Sequence, residues 1–558
     1  MDINDKSLTD IINEIENIKR RKSVDYKSSD SIVYIDPENN LEKLTVPNNH
    51  VIEGRRGSGK TILIIKSITN LINTVPVIYD CQKKRKADHC TIIIDIMQTI
   101  LSELITNYQD EDYIQLRSNY KKIFGKIKRL FSKSNNDLKT KFKNYNKLLE
   151  AINYLHTNLK SINDLPIERK VKYNFSNKVN NEVNYENTSK YTFNTNTSLS
   201  SEFEIKYLNF KSKLNNDLEL CYNTEVKKKL TKKNTSNFEA AYVEEKVIKK
   251  VDLLNECKDL LIHIINQFSN LKNKKISLYL DDFYQITKSN HPYILQYFHD
   301  IYKDCFNSSF CFKVCTLPYS LKINHDNEVS FSLKDDFSPI RLDYDLSNLD
   351  LLQNHLLNIL TVIRPDYNLK INDFKALFSN ESLNDAIIAT GGIPRDFMVI
   401  FAKLIQKARS DNKDTIGKMH IYSCIKELKD DKDNNIEFDS DINPQKIHDA
   451  IKIIQQKIVD DLKTNVILYP LSEYEKHENL LKTLINLRYL HLIKDSVNSE
   501  TKKIDCKALL IDMSFYASGT RKPSDFEFRK FWVKDSSSRL NVLRRSIVWS
   551  FDDSFVLG

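Results

Sequence analysis

The chain has 558 residues, is 41% hydrophobic and 10% aromatic, and carries 84 basic against 75 acidic side chains for a net charge of +9. That length exceeds what one hydrophobic core supports and predicts three or four globular units, while the apolar content excludes a mainly disordered chain. The N-terminal residues are polar with no apolar run, and the most apolar stretch, 91–105, is broken by Asp95, Gln98 and Glu103. Neither an export leader nor a membrane span is expected, and the expected location is cytoplasmic.

Residues 1–44 read as an N-terminal helical segment. From His50 the pattern alternates strand and helix: the short apolar run 50–53, a glycine-rich turn, a buried helix from Thr61, a strand at 75–80 and a further helix from Cys90. Such a βαβα opening signals a parallel sheet. The turn between the first strand and helix is Gly54-Arg55-Arg56-Gly57-Ser58-Gly59-Lys60-Thr61, a complete GxxxxGK[ST] in its correct context. Backbone N–H groups of Gly54, Gly57, Ser58 and Gly59 would cradle phosphates at the start of a helix. Lys60 would reach the β and γ phosphates, and the Thr61 hydroxyl would ligate magnesium. ATP and Mg2+ are therefore the expected cofactors.

Residues 111–250 change in character. They hold 28 basic against 16 acidic residues, a local +12 that leaves the rest of the chain slightly acidic. The first part, 120–162, has a basic helical pattern. In KYTFNTNTSLSSEFEIKY, 190–207, aromatic and aliphatic residues recur at period two, which predicts amphipathic strands or a loosely ordered arm. The whole stretch reads as an insertion that splits the nucleotide-binding core into 45–110 and 251–347. Its charge suits a phosphate backbone, although solvated lysines in a Lys- and Asn-rich chain would give the same composition.

The sheet resumes with KISLYLD, 275–281, and FCFKVCT, 310–316. The first ends in Asp281 and Asp282, a pair suited to holding the magnesium shell (Asp281) and to orienting or deprotonating an attacking water (Asp282). The second ends in Thr316, where a polar group can sense the nucleotide. The nine cysteines lack CxxC pairs, which fits reduced thiols. Residues 348–432 are all helical, a lid. After an acidic linker, residues 443–558 show helical segments at 444–462 and 474–487. Two apolar runs at 489–497 and 504–513 follow, joined by the tip NSETKK, which together suggest a winged helix.

GRRGSGKT, LYLDDF, the segment 359–364 and Gly391-Gly392-Ile393-Pro394-Arg395 together resemble the AAA+ ATPases of the origin-recognition and replication-initiator type, and their STAND P-loop relatives. The chain is also similar to bacterial initiator-like ATPases of unknown role. The resemblance implies an α/β AAA+ core with a parallel sheet, a helical lid, a large insertion and a C-terminal winged-helix domain. It implies that Thr316 acts as sensor 1, that Arg395 meets the γ phosphate as sensor 2, and that Pro394 lies by the adenine. It also implies slow hydrolysis, because most AAA+ proteins carry a longer Glu where this chain has Asp282. Between Gln285 and Arg364 the sequence has one arginine, Arg341, so an arginine finger from a neighbour is in doubt.

Two functions remain open on these residues. One is an ATP-hydrolysing switch that controls DNA binding and ATP-dependent homo-oligomerisation, with Arg521, Lys522, Arg529, Lys530, Arg539, Arg544 and Arg545 touching phosphates. The other is a STAND-like sensor in a defence or signalling system, acting through an effector protein. A P-loop that binds ATP without turnover is a third.

Overall fold

The computed structural model describes residues 2–20, 34–36, 38–108, 133–175, 199–222, 242–323, 332–343, 346, 348–379, 381–433, 442–517, 529–533 and 536–555. Its first sheet is built from five short strands, nearly or alternately buried except at the exposed edge strand Ser338–Arg341. These are β1 (His50–Glu53), β2 (Thr74–Asp80), β5 (Lys275–Asp281), β6 (Phe310–Thr316) and β7 (Ser338–Arg341). All neighbouring pairs are parallel, in the order β2-β5-β6-β1-β7. Strands β5 and β6 read as nearly unbroken apolar runs because helices cover both faces of a parallel sheet. The helices Lys60–Thr69, His89–Tyr108, Lys250–Lys272 and His291–Asp304 connect them. The helix His89–Tyr108 is long and apolar enough to cross a membrane, yet its Ile92, Ile93, Ile96, Met97 and Leu104 are buried in the core of this sheet.

Between β2 and β5 lie the helix Lys133–Asn163, the antiparallel pair β3 (Glu168–Phe175) and β4 (Tyr242–Lys249), and the helix Leu199–Tyr222. The period-two expectation fails from residue 199 onward. Phe203, Tyr207, Phe210 and Leu214 recur at helical spacing and turn one face of that helix inward. Residues 190–198, and with them the rest of that alternation, lie outside the described residues. The stretch is also no appendage: Tyr145, Leu148, Ile152, Leu155, Leu159 and Ile162 share one apolar cluster with the helix His89–Tyr108 and with β5 and β6. Phe203, Tyr207 and Leu214, within the stretch read as an insertion, lie inside that cluster too.

The lid consists of the helices Leu349–Ile363, Ile371–Lys375, Ser382–Ala389, Pro394–Ser410 and Lys418–Asp433. The N-terminal helix Lys6–Arg20 packs onto the lid through Leu8, Ile11, Ile12 and Ile15, and Arg409 Nε donates to the Ile3 carbonyl at 2.8 Å.

The C-terminal unit begins with the helix Pro444–Ile453, which runs on as a π-helix to Asp461. Then come β8 (Val466–Pro470), the helices Leu471–Lys476 and Glu478–Asn486, and the strands β9 (Leu490–Asn498) and β10 (Asp505–Ile511). A further helix Ser536–Arg544 precedes β11 (Ile547–Val548), and the sheet order is β11-β8-β10-β9. Helix, strand, two helices and a β-hairpin form a winged helix. Strand β8 was not expected, because five residues, VILYP, are too short to show a period. Their complete burial and the pairing to β10 decide the conformation. The buried apolar residues of lid and winged helix form a single cluster, Leu356 and Phe401 together with Leu481, Tyr489 and Leu509, distinct from the cluster around the parallel sheet.

Candidate functional site

The P-loop leaves β1, whose neighbours are β6 and β7. Gly54 N–H donates to the Thr316 carbonyl at 3.2 Å, which ties the start of the loop to the end of β6. Gly59 has φ +100°, a conformation that L side chains rarely adopt, and it hands the chain to the helix Lys60–Thr69. Lys60 is buried, and its Nζ donates to the carbonyls of Gly54 at 2.6 Å and Arg55 at 3.2 Å. Burial pulls its pKa below the ordinary lysine value, with Asp282, Asp343 and Asp281 opposing. The Ser58 hydroxyl is buried with no hydrogen-bond partner among the described residues. An unpaired polar atom in a cradle of backbone N–H groups fits an anionic ligand.

The end of β5 brings the two carboxylates to the loop. Thr61 Oγ1 donates to Asp281 Oδ2 at 2.9 Å, and the Asp282 amide donates to Asp281 Oδ1 at 3.0 Å. Burial raises the pKa of both carboxyls; the adjacent Asp282 raises Asp281 further, while Lys60 opposes the rise in each. A buried and a half-buried carboxylate beside a threonine hydroxyl suit a hard divalent cation. Mg2+ there would be held by Thr61 and Asp281 and would neutralise phosphate charge. No cluster of three or more acidic, His or Cys ligands occurs among the described residues. Asp282 has φ +51°, a strained backbone for a non-glycine residue, and this turns the chain sharply at the strand end. Thr316 is fully buried at the end of β6, its hydroxyl donating to the Leu317 carbonyl at 3.3 Å.

From the lid, Pro394 occupies the first turn of the helix Pro394–Ser410 and is buried. The Arg395 amide donates to the Gly57 carbonyl at 3.2 Å, and its side chain lies against the loop: a methyl group on Gly57 would meet Arg395 Cβ at 3.0 Å and Nε at 3.1 Å. All the expected phosphate, metal and sensor residues thus converge at one end of the parallel sheet. Arg341 is elsewhere in character, an exposed side chain on the edge strand β7 with Nε 3.6 Å from Glu53.

The residues that sequence reasoning missed connect the P-loop to the winged helix. Arg55 is buried, and its amide donates to Asp343 at 2.9 Å. Its guanidinium donates to the lid carbonyl of Gly391 at 2.8 Å and sits 3.3 Å from Nδ1 of His491, on β9. His491 Nε2 is 2.8 Å from Asp512, which also binds Lys432 Nζ at 2.6 Å. Burial lowers the His491 pKa, with the Asp512 bond opposing. The ring is therefore neutral, Nε2–H donates to Asp512, and the Nδ1 lone pair accepts from Arg55. Against the effect of burial, Lys432 and His491 hold Asp512 well below the usual carboxylate range. Gly391 has φ +58°, and a methyl group there would meet His491 Nδ1 at 2.2 Å, so the lid glycine makes room for the wing histidine. The x positions of a P-loop motif carry no signal for such a role. A buried His–Asp–Lys group separated by tens of residues is equally silent in one sequence.

The strand order β2-β5-β6-β1-β7 places one strand between the carboxylate-bearing β5 and the P-loop strand, with a lid and winged helix following. This is the strand order of a P-loop core with a parallel α/β sheet. No family model matches the chain, and no curated protein matches it. Among solved structures it is similar to Cdc6p from Pyrobaculum aerophilum, at 10% identity and a TM-score of 0.32 over 92% of this chain and 94% of that one. It is also similar to the Orc1 protein of Aeropyrum pernix in complex with DNA, at 9% identity and a TM-score of 0.32 over 87% and 92%.

Proposed function

We propose that the chain is an ATP-binding and slowly ATP-hydrolysing switch in which the nucleotide positions the lid and winged helix, and that the positioned winged helix engages DNA and favours self-assembly. In this reading Gly54, Gly57, Ser58, Gly59, Lys60 and Thr61 hold the phosphates, Thr61 and Asp281 hold Mg2+, and Asp282 orients the water. Thr316 and Arg395 sense the γ phosphate, and Pro394 borders the base. The observation that carries the reading is the direct wiring of the P-loop to both moving parts, Arg55 to Gly391 and His491. A ligand that reshapes the loop changes those contacts and so biases the position of the wing.

The helix Glu478–Asn486 holds the place of a recognition helix in the winged-helix topology. Its Asn486 Nδ2 donates to the Pro318 carbonyl at 3.1 Å, on the loop that follows Thr316, so this helix end is docked on the ATPase core. Measuring ATP turnover and binding with no DNA, single-stranded DNA and duplex DNA tests the reading. Stimulation or nucleotide-dependent binding supports it, and no effect of either DNA contradicts the DNA part.

A second reading, a sensor acting through a protein effector, is favoured by the use already made of the C-terminal basic residues. Lys530 pairs with Glu381 at 2.9 Å, Arg539 with Asp350 at 3.3 Å and Arg545 with Glu500 at 2.8 Å, and Arg544 Nε donates to the Asn498 carbonyl at 3.2 Å. Arg521 and Lys522, and the basic run Lys121, Lys122, Lys126, Lys128 and Arg129, lie outside the described residues.

A further inference from the structure

A cleft opens beside the P-loop with walls from two bodies. Arg56, Tyr284 and Leu317 line it from the ATPase core, and Arg488 and Lys432 from the winged helix and lid. Each core residue lies close to a site group: Arg56 is in the loop, Tyr284 is two residues past Asp282 with its ring 5.8 Å from Lys60 Nζ, and Leu317 follows Thr316. The cleft therefore borders the P-loop and the strand ends that carry Asp282 and Thr316. Arg488 sits in the turn between the helix Glu478–Asn486 and β9 with φ +68°, a backbone strain that a non-glycine residue keeps only when its surroundings impose it. Lys432 Nζ donates to the Arg488 carbonyl at 3.2 Å, and Asn486 is fixed to the Pro318 carbonyl, so the turn is held from both sides.

The Arg488 guanidinium, mostly buried, donates to the carboxylate of Asp396. The same carboxylate is 3.6 Å from Nε of Arg395. Desolvation against the P-loop pulls the Arg395 pKa below the usual arginine value; Asp396 opposes this, and the neighbouring guanidiniums of Arg488 and Arg56 add to it. Two guanidiniums thus share one carboxylate, with Arg56 lining the same cleft, while Lys432 is paired separately with Asp512. Arg56 also faces Asp282, whose ionised form it favours. An excess of arginine charge at the mouth of a phosphate cradle fits an anion richer in oxygens than one carboxylate, because guanidinium binds phosphate through paired, charge-assisted bonds.

We propose that Arg488 is a further arginine of the nucleotide site, supplied by the winged helix of the same chain, which reads the γ phosphate of ATP in competition with the carboxylate of Asp396. The proposal rests on the ATP-switch reading and names the group through which the wing feels the third phosphate. It also supplies within one chain a second candidate arginine beside Arg341, the one arginine between Gln285 and Arg364, whose side chain is exposed on the edge strand.

The test compares MgATP and MgADP affinities by titration calorimetry for the full chain, Arg488→Gln, Arg488→Lys and Asp396→Asn, with melting curves taken without nucleotide as a folding control. Arg488→Gln should lose about tenfold in MgATP affinity, the size of one charge-assisted hydrogen bond, and stay within about twofold for MgADP. Arg488→Lys should recover part of the difference. Asp396→Asn should shift the ATP over ADP preference the opposite way, upward. A purely structural ion pair predicts the same direction for both partners and equal effects on both nucleotides, and that outcome, or no change in Arg488→Gln, overturns the proposal. If the wild type binds neither nucleotide, or Lys60→Ala binds as the wild type does, the ATP reading itself fails, which is distinguishable because it appears without any change at Arg488.

Discussion

The parallel-sheet core and the body formed by lid and winged helix are each held together by apolar packing, and several polar groups join them at the P-loop. Within the core, the helix His89–Tyr108 and the sheet share one cluster, and within the second body Phe401 of the lid and Leu509 of the wing share another. Across the P-loop the contacts are Arg55 with Gly391 and His491, Arg395 with Gly57, and Asn486 with Pro318. Apolar contacts resist separation in proportion to buried area, whereas hydrogen bonds across a junction exchange readily for water or for phosphate oxygens. On the proposed reading, this division makes the P-loop the seam across which lid and wing would shift as one body.

Breaking the chemistry while sparing the seam should give the largest effect. Lys60→Ala should cut turnover by about 100-fold or more and weaken ATP binding, because it removes the cation that follows the γ phosphate. Asp282→Asn should keep ATP binding, since Asp281 and Thr61 remain, and lower turnover by about 100-fold, which paired binding and hydrolysis assays would separate. Wild-type turnover in either variant, or loss of binding only in Asp282→Asn, would reassign the roles.

Breaking the seam while sparing the chemistry comes next. Gly391→Ala places a methyl group on the His491 ring and keeps a left-handed backbone, together costing about 1–3 kcal/mol at the contact. The expected result is a wing released from the P-loop, read as faster hydrogen exchange in β9, with the isolated sheet core unchanged. An unaltered exchange pattern would mean that the ring moves aside without consequence.

The smallest effect is a pH dependence. His491 is held neutral in the folded chain, so its contribution to stability is present above its unfolded value, near 6.5, and declines as pH falls below it. Lys432, Asp512 and Arg55 face the ring, and only the Asp512 carboxylate favours its protonation. Burial likewise lowers His50 and His355 to about 4, so His491→Gln should remove only part of the loss of melting temperature between about pH 6.5 and 5. An unchanged slope would show that the ring takes up its proton without leaving its partners.

The contrast between the two bodies also explains what was legible. The P-loop and the two carboxylates follow local rules, glycines where N–H groups must converge and acids where an apolar strand ends, so their residues could be named from spacing, whereas Pro394 and Arg395 in the lid were named through a family resemblance. The seam obeys no local rule. Arg55 occupies a variable motif position, and His491, Asp512, Asp396 and Arg488 acquire meaning only when strands and helices distant in sequence meet. The helix Leu199–Tyr222 was obscured differently: polar residues interleave its apolar face, so a short window imitates strand alternation until Phe203, Tyr207, Phe210 and Leu214 are taken together.

The central claim is that nucleotide at the P-loop sets the position of the lid and wing relative to the ATPase core. Spin labels at Asn70 and Lys502, both exposed and one in each body, would report that distance directly. The account predicts different distance distributions without nucleotide and with saturating MgATP, the difference disappearing in Lys60→Ala. One distribution under all conditions, in a wild-type chain that demonstrably binds MgATP, would contradict it.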